Sequence, residues 1–145
     1  MSKVLFTGKT HTIVSHGNGT PNDHGNVDLN LSSPGNPGLE HVFAAVAPHP
    51  TAEQLFAGAW SACYITALGL VAAQKKVALP ADLSVDIDVD LLQDGNAWFL
   101  QARFEVRMPG VAQDVAEKIA HIAHEICPYS KATRGNIEVA VNVVT

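Results

Sequence analysis

Residues 51–76 read TAEQLFAGAWSACYITALGLVAAQKK, and the nineteen residues from Leu55 to Ala73 carry no charge. Thr51 and Gln54 fit a capping box, which marks the start of a helix. The run is long enough to cross a bilayer, but glycine, serine and alanine dilute it and no aromatic belt flanks both ends. The alternating strands that follow also need an apolar cover. We therefore expect a central helix, roughly Thr51 to Lys76, buried in a protein core rather than in a membrane.

A hairpin is predicted after this helix. Between Leu83 and Leu91, apolar residues alternate with serine and aspartate, which is typical of a strand with one dry face and one wet face. Asp94-Gly95 is a strong signal for a two-residue turn. Ala97 to Met108 then returns as the partner strand.

The C-terminal segments complete an α+β pattern of antiparallel strands with two helices against one face. Apolar residues at helical spacing from Val111 to Ile126 predict a second helix, which ends near Cys127-Pro128. Ile137 to Val143 alternates as a last strand. A single domain covering residues 1–145 accounts for this order of elements.

The N-terminal third predicts short strands separated by turn-forming loops. The strand candidates are Val4 to Thr7, His11 to Val14 and Val27 to Leu31. The loop from Ser32 to Pro50 is long for a compact domain, and long loops of this kind are commonly functional. We expect this loop to be functional as well.

Composition is typical of a folded, soluble protein. The 145 residues are 47% hydrophobic, which is enough for a core and excludes a disordered or fibrous chain. A net charge of -5 without a basic cluster argues against nucleic acid or an anionic membrane as a partner. The N-terminus does not match a signal peptide. Together with the two cysteines, this predicts a cytoplasmic location in which thiols stay reduced.

The two cysteines have three interpretations. Cys63 lies in the middle of the apolar helix, and Cys127 lies where the second helix ends. A buried cysteine commonly acts as a small hydrophobic residue, while a disulfide between them would stabilise the fold by roughly 4 kcal/mol. The third interpretation is a redox pair in which one thiol attacks and the other resolves, and it requires a lowered pKa on the attacking thiol. Spacing alone leaves all three open.

The local sequences are more specific than the spacing. Glu53 to Ala57, Ser61 to Tyr64 and Cys127 to Asn136 closely resemble the organic hydroperoxide resistance (Ohr) branch of the OsmC/Ohr family. The resemblance covers nearly the whole chain and includes its Leu5-Phe6-Thr7 start. It implies antiparallel sheets around a long central helix, assembled as an intertwined homodimer whose two active sites lie at the subunit interface.

The resemblance also implies a thiol peroxidase. By the family pattern Cys63 is the peroxidatic cysteine, whose thiolate attacks the peroxide oxygen, and Cys127 is the resolving cysteine, which condenses with the sulfenic acid. Family members prefer organic and fatty-acid hydroperoxides. They bind no cofactor and are recycled by an external dithiol, either dihydrolipoamide or a lipoylated protein. Phe56, Trp60 and Tyr64 are candidates for the wall of an apolar substrate pocket.

The chain departs from the family at the activating cation. The family uses an arginine in the early loop, held by the glutamate that matches Glu53, whereas this chain has no arginine before Arg103. An ungapped count puts His16 near the place of that arginine. An imidazolium could stabilise a thiolate there, with a pH dependence that an arginine lacks. The alternative is a surface His16, with the cation supplied by another residue such as Arg134, which we otherwise expect to be structural.

Glu53 and Cys63 are too far apart to meet within one helix. They are ten residues apart, which is roughly 15 Å along a continuous helix. We therefore expect a composite site, in which either the helix is interrupted or Glu53 of one subunit approaches Cys63 of the other. A straight helix with Glu53 in open solvent would contradict this hypothesis.

Two alternatives belong to other functional classes. His121 and His124 are one turn apart beside Glu125 and would suit a metal site, but a second ligand motif is missing and a solvated helix face is the simpler interpretation. We therefore expect no bound metal. The other alternative is a dimeric binding module that keeps an apolar pocket without peroxidase turnover. Metal content and Cys63-dependent turnover distinguish these alternatives.

Overall fold

The structure is a computed structural model and describes residues 1–13 and 51–145. Within these ranges the chain forms one four-stranded sheet and three helices, which confirms the predicted α+β class. The elements in chain order are β1 (Lys3–Ile13), α1 (Ala52–Gln74), β2 (Ser84–Asp94), β3 (Ala97–Arg107), α2 (Gln113–Ile126), α3 (Pro128–Thr133) and β4 (Glu138–Val144).

The four strands lie in the order β1-β2-β3-β4. β2 and β3 form the predicted hairpin, in which Asp94 pairs with Ala97 and Gly95 has a φ of 57°, a value that glycine adopts without strain. β1 pairs antiparallel with β2, but β4 pairs parallel with β3. The parallel pair corrects our expectation of antiparallel strands throughout. It arises because the chain passes through α2 and α3 between β3 and β4, and such a crossover allows a parallel neighbour.

β1 is one continuous strand, where the sequence predicted two short ones. It pairs with β2 along nearly its whole length, with one irregularity between Val4 and Phe6. Pairing with a neighbouring strand therefore outweighs the weak strand propensity of Gly8-Lys9. The predicted strand from Val27 to Leu31 and the loop from Ser32 to Pro50 lie outside the described residues.

α1 begins with the predicted capping box. The Gln54 backbone N–H donates to Thr51 Oγ1 at 3.2 Å, and the Thr51 N–H donates to Gln54 Oε1 at 3.0 Å. Of the described helices, α1 alone has a length and composition that would suit a membrane span. One face is nevertheless buried in the core, as expected for a central helix. The residues of that face with 1% exposure or less include Ala57, Trp60, Tyr64, Leu68 and Val71.

The inner face of the sheet packs on α1 through aromatic rings. Phe104 of β3 meets Trp60 edge-on, with 4.9 Å between ring centroids, and meets Tyr64 in the same way at 5.0 Å. Edge-to-face contacts of this kind fix ring orientation as well as burying area. The middle of α1, which carries Cys63, is thereby held in one position against β3.

The outer face of the sheet is polar, as the alternation in β2 predicted, with one correction. Asp90 was expected on a wet face, yet it is only 2% exposed. Arg103, Gln101 and Thr7 all hydrogen-bond to its carboxylate and cover it. Neighbouring strands therefore supply what water would otherwise provide.

The chain remains helical beyond α2. α2 ends at Ile126 as predicted, but Pro128 opens α3 instead of ending helical structure. Proline suits the first helical position, because its missing N–H has no intrahelical partner there and its φ is already helical. Cys127 therefore lies at a corner between two helices, and α3 packs beside α1.

Candidate active site

Cys63 of α1 and Cys127 at the corner between α2 and α3 lie side by side. Their Sγ atoms are 3.2 Å apart, and both cysteines are free thiols. Cys127 is fully buried, whereas Cys63 is partly exposed. The fold thus brings together two residues that are 64 positions apart in sequence, and the more accessible one is the cysteine predicted to attack.

The described surroundings of Cys63 favour its protonated form. Burial raises the pKa of the Cys63 thiol above its ordinary value, and the hydrogen bond and charge of Cys127 raise it further. The backbone N–H of Tyr129 acts in the opposite direction, and it is the one group in the described ranges found to lower this pKa. A thiolate nucleophile at Cys63 therefore needs a further positive group.

The aromatic residues predicted to line a pocket occupy two different environments. Trp60 and Tyr64 are 0% exposed, and both polar atoms have internal partners. The Trp60 indole N–H donates to Ser130 Oγ at 3.0 Å, and the Tyr64 hydroxyl donates to the Ala120 carbonyl oxygen at 2.8 Å. This corrects the pocket assignment of Trp60 and Tyr64, because in the described chain both are core residues. Phe56 is partly exposed and remains a candidate for substrate contact.

Glu53 lies in the first turn of α1 and is 5% exposed. Its Oε2 has no hydrogen-bond partner among the residues that the structure describes. α1 is unbroken between Glu53 and Cys63, so the interrupted-helix form of the composite site is wrong. The form in which Glu53 approaches Cys63 of another subunit stays a prediction. His16, the other residue of the predicted activating pair, lies outside the described residues.

β1 determines where Glu53 lies. Gly8 approaches the first turn of α1 so closely that a Cβ at this position would lie 2.6 Å from the Gln54 backbone nitrogen and from Glu53 Cβ. Further along the same contact, Thr12 Oγ1 and Ser61 Oγ share a hydrogen bond of 2.7 Å. Sequence reasoning missed Gly8, because a glycine needed for close approach has no local pattern that distinguishes it from a turn glycine.

Arg134 interacts with the C-terminal end of α2. Its Nη2 donates to the carbonyl oxygen of His124 at 2.9 Å and to that of Glu125 at 3.5 Å. Basic side chains commonly satisfy the free carbonyls at a helix end. The structural role predicted for Arg134 is thereby confirmed.

The two histidines of α2 have different surroundings. His121 is exposed, whereas His124 packs edge-on against Phe104 with 5.7 Å between ring centroids. Burial lowers the pKa of His124, and the positive charge of Arg134 lowers it further. Within residues 1–13 and 51–145, no three His, Cys, Asp or Glu residues lie close enough to hold a metal ion together. His124 therefore lies at the edge of the core, where its surroundings favour the uncharged ring.

An open groove of about 740 Å³ lies on the outer face of the sheet. Charged side chains of both signs line it, including Lys9, Asp88 and Arg103, and these pair with one another. None of the predicted site residues in the described ranges borders this groove. It is a separate feature from the cysteine pair.

Comparison with known proteins places this arrangement in a family. The family model described as OsmC-like protein matches residues 45–142. An organic hydroperoxide resistance protein of Xanthomonas axonopodis pv. citri is 34% identical over 142 residues, which cover 97% of this chain and 96% of that protein. Organic hydroperoxide resistance protein-like 2 of Staphylococcus epidermidis is 45% identical over 93 residues, or 63% of this chain. That match spans 65% of the relative, a little under two thirds of its length.

A solved structure extends the similarity to the whole fold. The crystal structure of an organic hydroperoxide resistance protein from Elizabethkingia anophelis, with crystallant-derived thiocyanate bound, is 30% identical to this chain. It matches with a TM-score of 0.70 and covers 100% of this chain and 99% of that one. The chain therefore belongs to the OsmC family, in its organic hydroperoxide resistance branch.

Proposed function

We propose that this protein is a thiol peroxidase that reduces organic hydroperoxides, including those of fatty acids, to alcohols. The observation that carries the proposal is the contact between two free thiols, 3.2 Å apart, of which one is accessible and the other buried. The family supports the substrate class, since relatives of this chain are named for organic hydroperoxide resistance. Cys63 and Cys127 are the catalytic residues in this proposal.

The first step oxidises Cys63. Its thiolate attacks the outer peroxide oxygen, a sulfur–oxygen bond forms, and the O–O bond breaks. Cys63 becomes a sulfenic acid, and the departing alkoxide takes up a proton to give the alcohol. Phe56, which lies two helical turns before Cys63 on α1 and is partly exposed, is the proposed apolar contact for the substrate.

The second step forms a disulfide. The Cys127 sulfur attacks the Cys63 sulfenic sulfur, the S–S bond forms, and the sulfenic oxygen leaves as water with the Cys127 proton. The sulfur atoms need to approach from 3.2 Å to about 2.0 Å, which is a small movement for a helix corner. An external dithiol, dihydrolipoamide or a lipoylated protein, then returns both cysteines to thiols and is itself oxidised. No bound cofactor takes part.

Activation of Cys63 is assigned to Glu53 and His16. The pKa of Cys63 is raised by burial, so the attacking thiolate needs a positive partner. Residues 14–50 contain no lysine or arginine, which leaves histidine as the basic residue of the early loop. Glu53, with a buried oxygen that lacks a partner in the described ranges, would hold the imidazolium of His16 as the family glutamate holds its arginine.

We infer a homodimer in the cytoplasm, with neither nucleic acid nor a membrane as a partner. The support for the dimer is the exposed face of α1, where small or apolar side chains recur at helical spacing and Leu70 is 57% exposed. An apolar face on a central helix is typical of a protein interface. The residues of this face include Ala59, Ala62, Thr66, Leu70 and Ala73. In this dimer we expect the composite site, in which Glu53 of one subunit approaches Cys63 of the other.

One observation favours a second candidate function. Within the described ranges the pKa of Cys63 is raised rather than lowered, as it would be in a protein that kept the fold and lost peroxidase turnover. Such a protein would be a dimeric module that binds an apolar ligand beside Cys63. The two candidates differ in whether a hydroperoxide consumes the thiols.

The deciding experiment measures intact mass and free thiols after one equivalent of cumene hydroperoxide, with hydrogen peroxide in parallel. We expect both thiols to disappear into an intramolecular disulfide, faster with the organic peroxide. Cys63→Ser should abolish the reaction, and Cys127→Ser should keep the first oxidation but leave Cys63 open to overoxidation. Persistent free thiols in the native protein would refute the peroxidase and favour the binding module.

A further inference from the structure

The hydrogen bond between Trp60 and Ser130 lies beside the two thiols. Trp60 precedes Cys63 by three residues on α1, and Ser130 follows Cys127 by three residues. Side chains three residues apart lie on the same face of a helix. The indole–hydroxyl bond and the thiol contact are therefore two neighbouring links between α1 and α3.

The indole–hydroxyl bond is the stronger of these two links. Thiols are weak hydrogen-bond donors and acceptors. The Trp60 N–H, in contrast, donates to Ser130 Oγ at 3.0 Å, and both residues are 0% exposed. A third link between the two helices is the hydrogen bond from the Tyr129 backbone N–H of α3 to the Cys63 sulfur of α1. Removal of Ser130 Oγ would leave the Trp60 N–H buried without its partner.

We propose that the Trp60–Ser130 hydrogen bond is a clamp that positions Cys127 for disulfide formation with Cys63. It holds the first turn of α3 against α1, and this turn carries both the Cys127 sulfur and the Tyr129 N–H that interacts with Cys63. Trp60 and Ser130 are positioning residues, since they act through α3. The catalytic use of the clamp rests on the proposed two-cysteine cycle, but its effect on the thiol pair does not.

The clamp works by ordering α3 before the disulfide forms. In the reduced protein α3 is already held against α1, so closing the disulfide removes little further freedom and the thiols have a high effective concentration. Without the clamp, α3 gains freedom in the reduced state, whereas the disulfide still restrains it in the oxidised state. The disulfide then becomes easier to reduce. A Cys63 sulfenic acid would also persist longer and meet a second hydroperoxide more often.

The test compares Ser130→Ala with Thr133→Val. The Thr133 hydroxyl donates to the Ser130 carbonyl within α3, so the control removes a buried hydroxyl from the same helix but leaves the clamp intact. Effective concentration is measured from the dithiol–disulfide equilibrium in anaerobic glutathione buffers, read by intact mass. We expect Ser130→Ala to lower the effective concentration of the two thiols at least about tenfold, and Thr133→Val to change it less than about twofold. The reason is that a small loss of alignment between the two sulfurs strongly slows or weakens their reaction.

A second readout follows Cys63 alone. In a Cys127→Ser background, the pH profile of Cys63 alkylation should move to higher pH with Ser130→Ala and stay in place with Thr133→Val. The reason is that α3 carries the Tyr129 N–H, which favours the thiolate, away from the sulfur. A merely structural Ser130 would lower thermal stability without moving this profile.

The other half of the clamp is tested by 3-benzothienylalanine in place of Trp60. This residue keeps the ring shape but has sulfur where the indole has its N–H. It should therefore lower the effective concentration of the thiols as much as Ser130→Ala does. It also decides the matter if Ser130→Ala does not fold. An effective concentration within about twofold of the native value in either folded protein overturns the proposal. Because the equilibrium needs no hydroperoxide, the clamp and the peroxidase activity can fail independently.

Discussion

Two acidic side chains are buried in the described ranges, and their surroundings are opposite. Asp90, on the outer face of the sheet, is 2% exposed and accepts hydrogen bonds from Arg103, Gln101 and Thr7. Glu53, in the first turn of α1, is 5% exposed and keeps an oxygen without a partner in these ranges. Both carboxylate oxygens of Asp90 therefore have hydrogen-bond partners within the same chain. Glu53 lies on the helix that also carries Cys63.

The difference distinguishes a carboxylate whose partners are all described from one that is proposed to serve the active site. The hydrogen bond from Arg103 is the largest effect that lowers the pKa of Asp90, to about 2, and the carboxylate stays ionised at any physiological pH. Burying a carboxylate oxygen without a partner is costly, so we expect the partner of Glu53 to lie outside the described ranges. Substitution of Asp90 should therefore change mainly the free energy of unfolding, whereas substitution of Glu53 should change mainly the peroxide turnover.

Asp90→Asn should have the largest effect on stability. It removes the negative charge from a buried carboxylate and leaves Arg103 with only its longer contact to Asp88, which should lower the free energy of unfolding by roughly 3 kcal/mol. Urea denaturation at fixed protein concentration measures the change. Asp88→Asn is the matched control on the same face, where more exposed pairs should contribute at most about 1 kcal/mol. Equal losses in the two variants would contradict the structural role of Asp90.

Gly8→Ala should have the next largest effect and lower the free energy of unfolding by about 2 kcal/mol. The reason is that its Cβ would meet the backbone of Gln54 and force β1 away from α1. Activity should fall with it, since Glu53 moves as well. Gly58→Ala is the control, because its Cβ would meet nothing closer than 3.9 Å and alanine is the better helix former. The control should unfold at the same urea concentration or a higher one. A Gly8→Ala variant with native stability and activity would mean that β1 does not position Glu53.

Acid should remove a stabilisation of about 2 kcal/mol that Asp90 provides. The pKa of Asp90 in the folded protein, about 2, lies below its ordinary value of 3.8, so the unfolded chain takes up the proton first as the pH falls. The contribution is complete above about pH 4 and is lost progressively towards pH 2. Unfolding free energies measured across this range should fall less steeply in Asp90→Asn than in the native protein. Parallel curves would show that another group is responsible.

Glu53→Gln should have the smallest effect on stability, within about 0.5 kcal/mol in either direction. Loss of a favourable charge at the start of α1 is offset by relief from burying it. Peroxide turnover should nevertheless fall markedly, because Glu53 is proposed to hold the activating cation. Turnover assays and urea denaturation on the same preparation separate the two effects. A stability loss as large as that of Asp90→Asn would remove the contrast between the two carboxylates.

The sequence predicted those parts of the fold whose signals are local. The capping box at Thr51 and the hairpin turn after Asp94 each lie within four residues, and both are present, with Gly95 and Asn96 as the two turn residues. The parallel pairing of β4 and the single long β1 depend on which strands become neighbours, and no local pattern contains that information. The end of α2 before Pro128 was predicted, but α3 was not, since a proline that follows one helix can also begin the next.

The residues of the site also divide into those that the sequence could identify and those that only the fold reveals. The resemblance identified Cys63 and Cys127 as a pair, but only the fold shows them in contact at 3.2 Å. Trp60 and Tyr64 were placed in a pocket because aromatic residues near a reactive cysteine suggest one, whereas their polar atoms have partners in the core. Ser130 had no signal of its own, because a single serine becomes informative only when its partner across the fold is known.

β4 joins the sheet through a long connection, whereas β2 and β3 are joined by a two-residue turn. Local hairpins form early in folding, and pairings that need a crossover form late. Cys127 lies in that crossover, so its sulfur reaches Cys63 only when α2 and α3 have docked on α1. The connectivity therefore makes the thiol contact a property of the nonlocal part of the fold. We expect the close approach of the two sulfurs to be lost whenever α2 and α3 detach from α1, even where the β2–β3 hairpin remains folded.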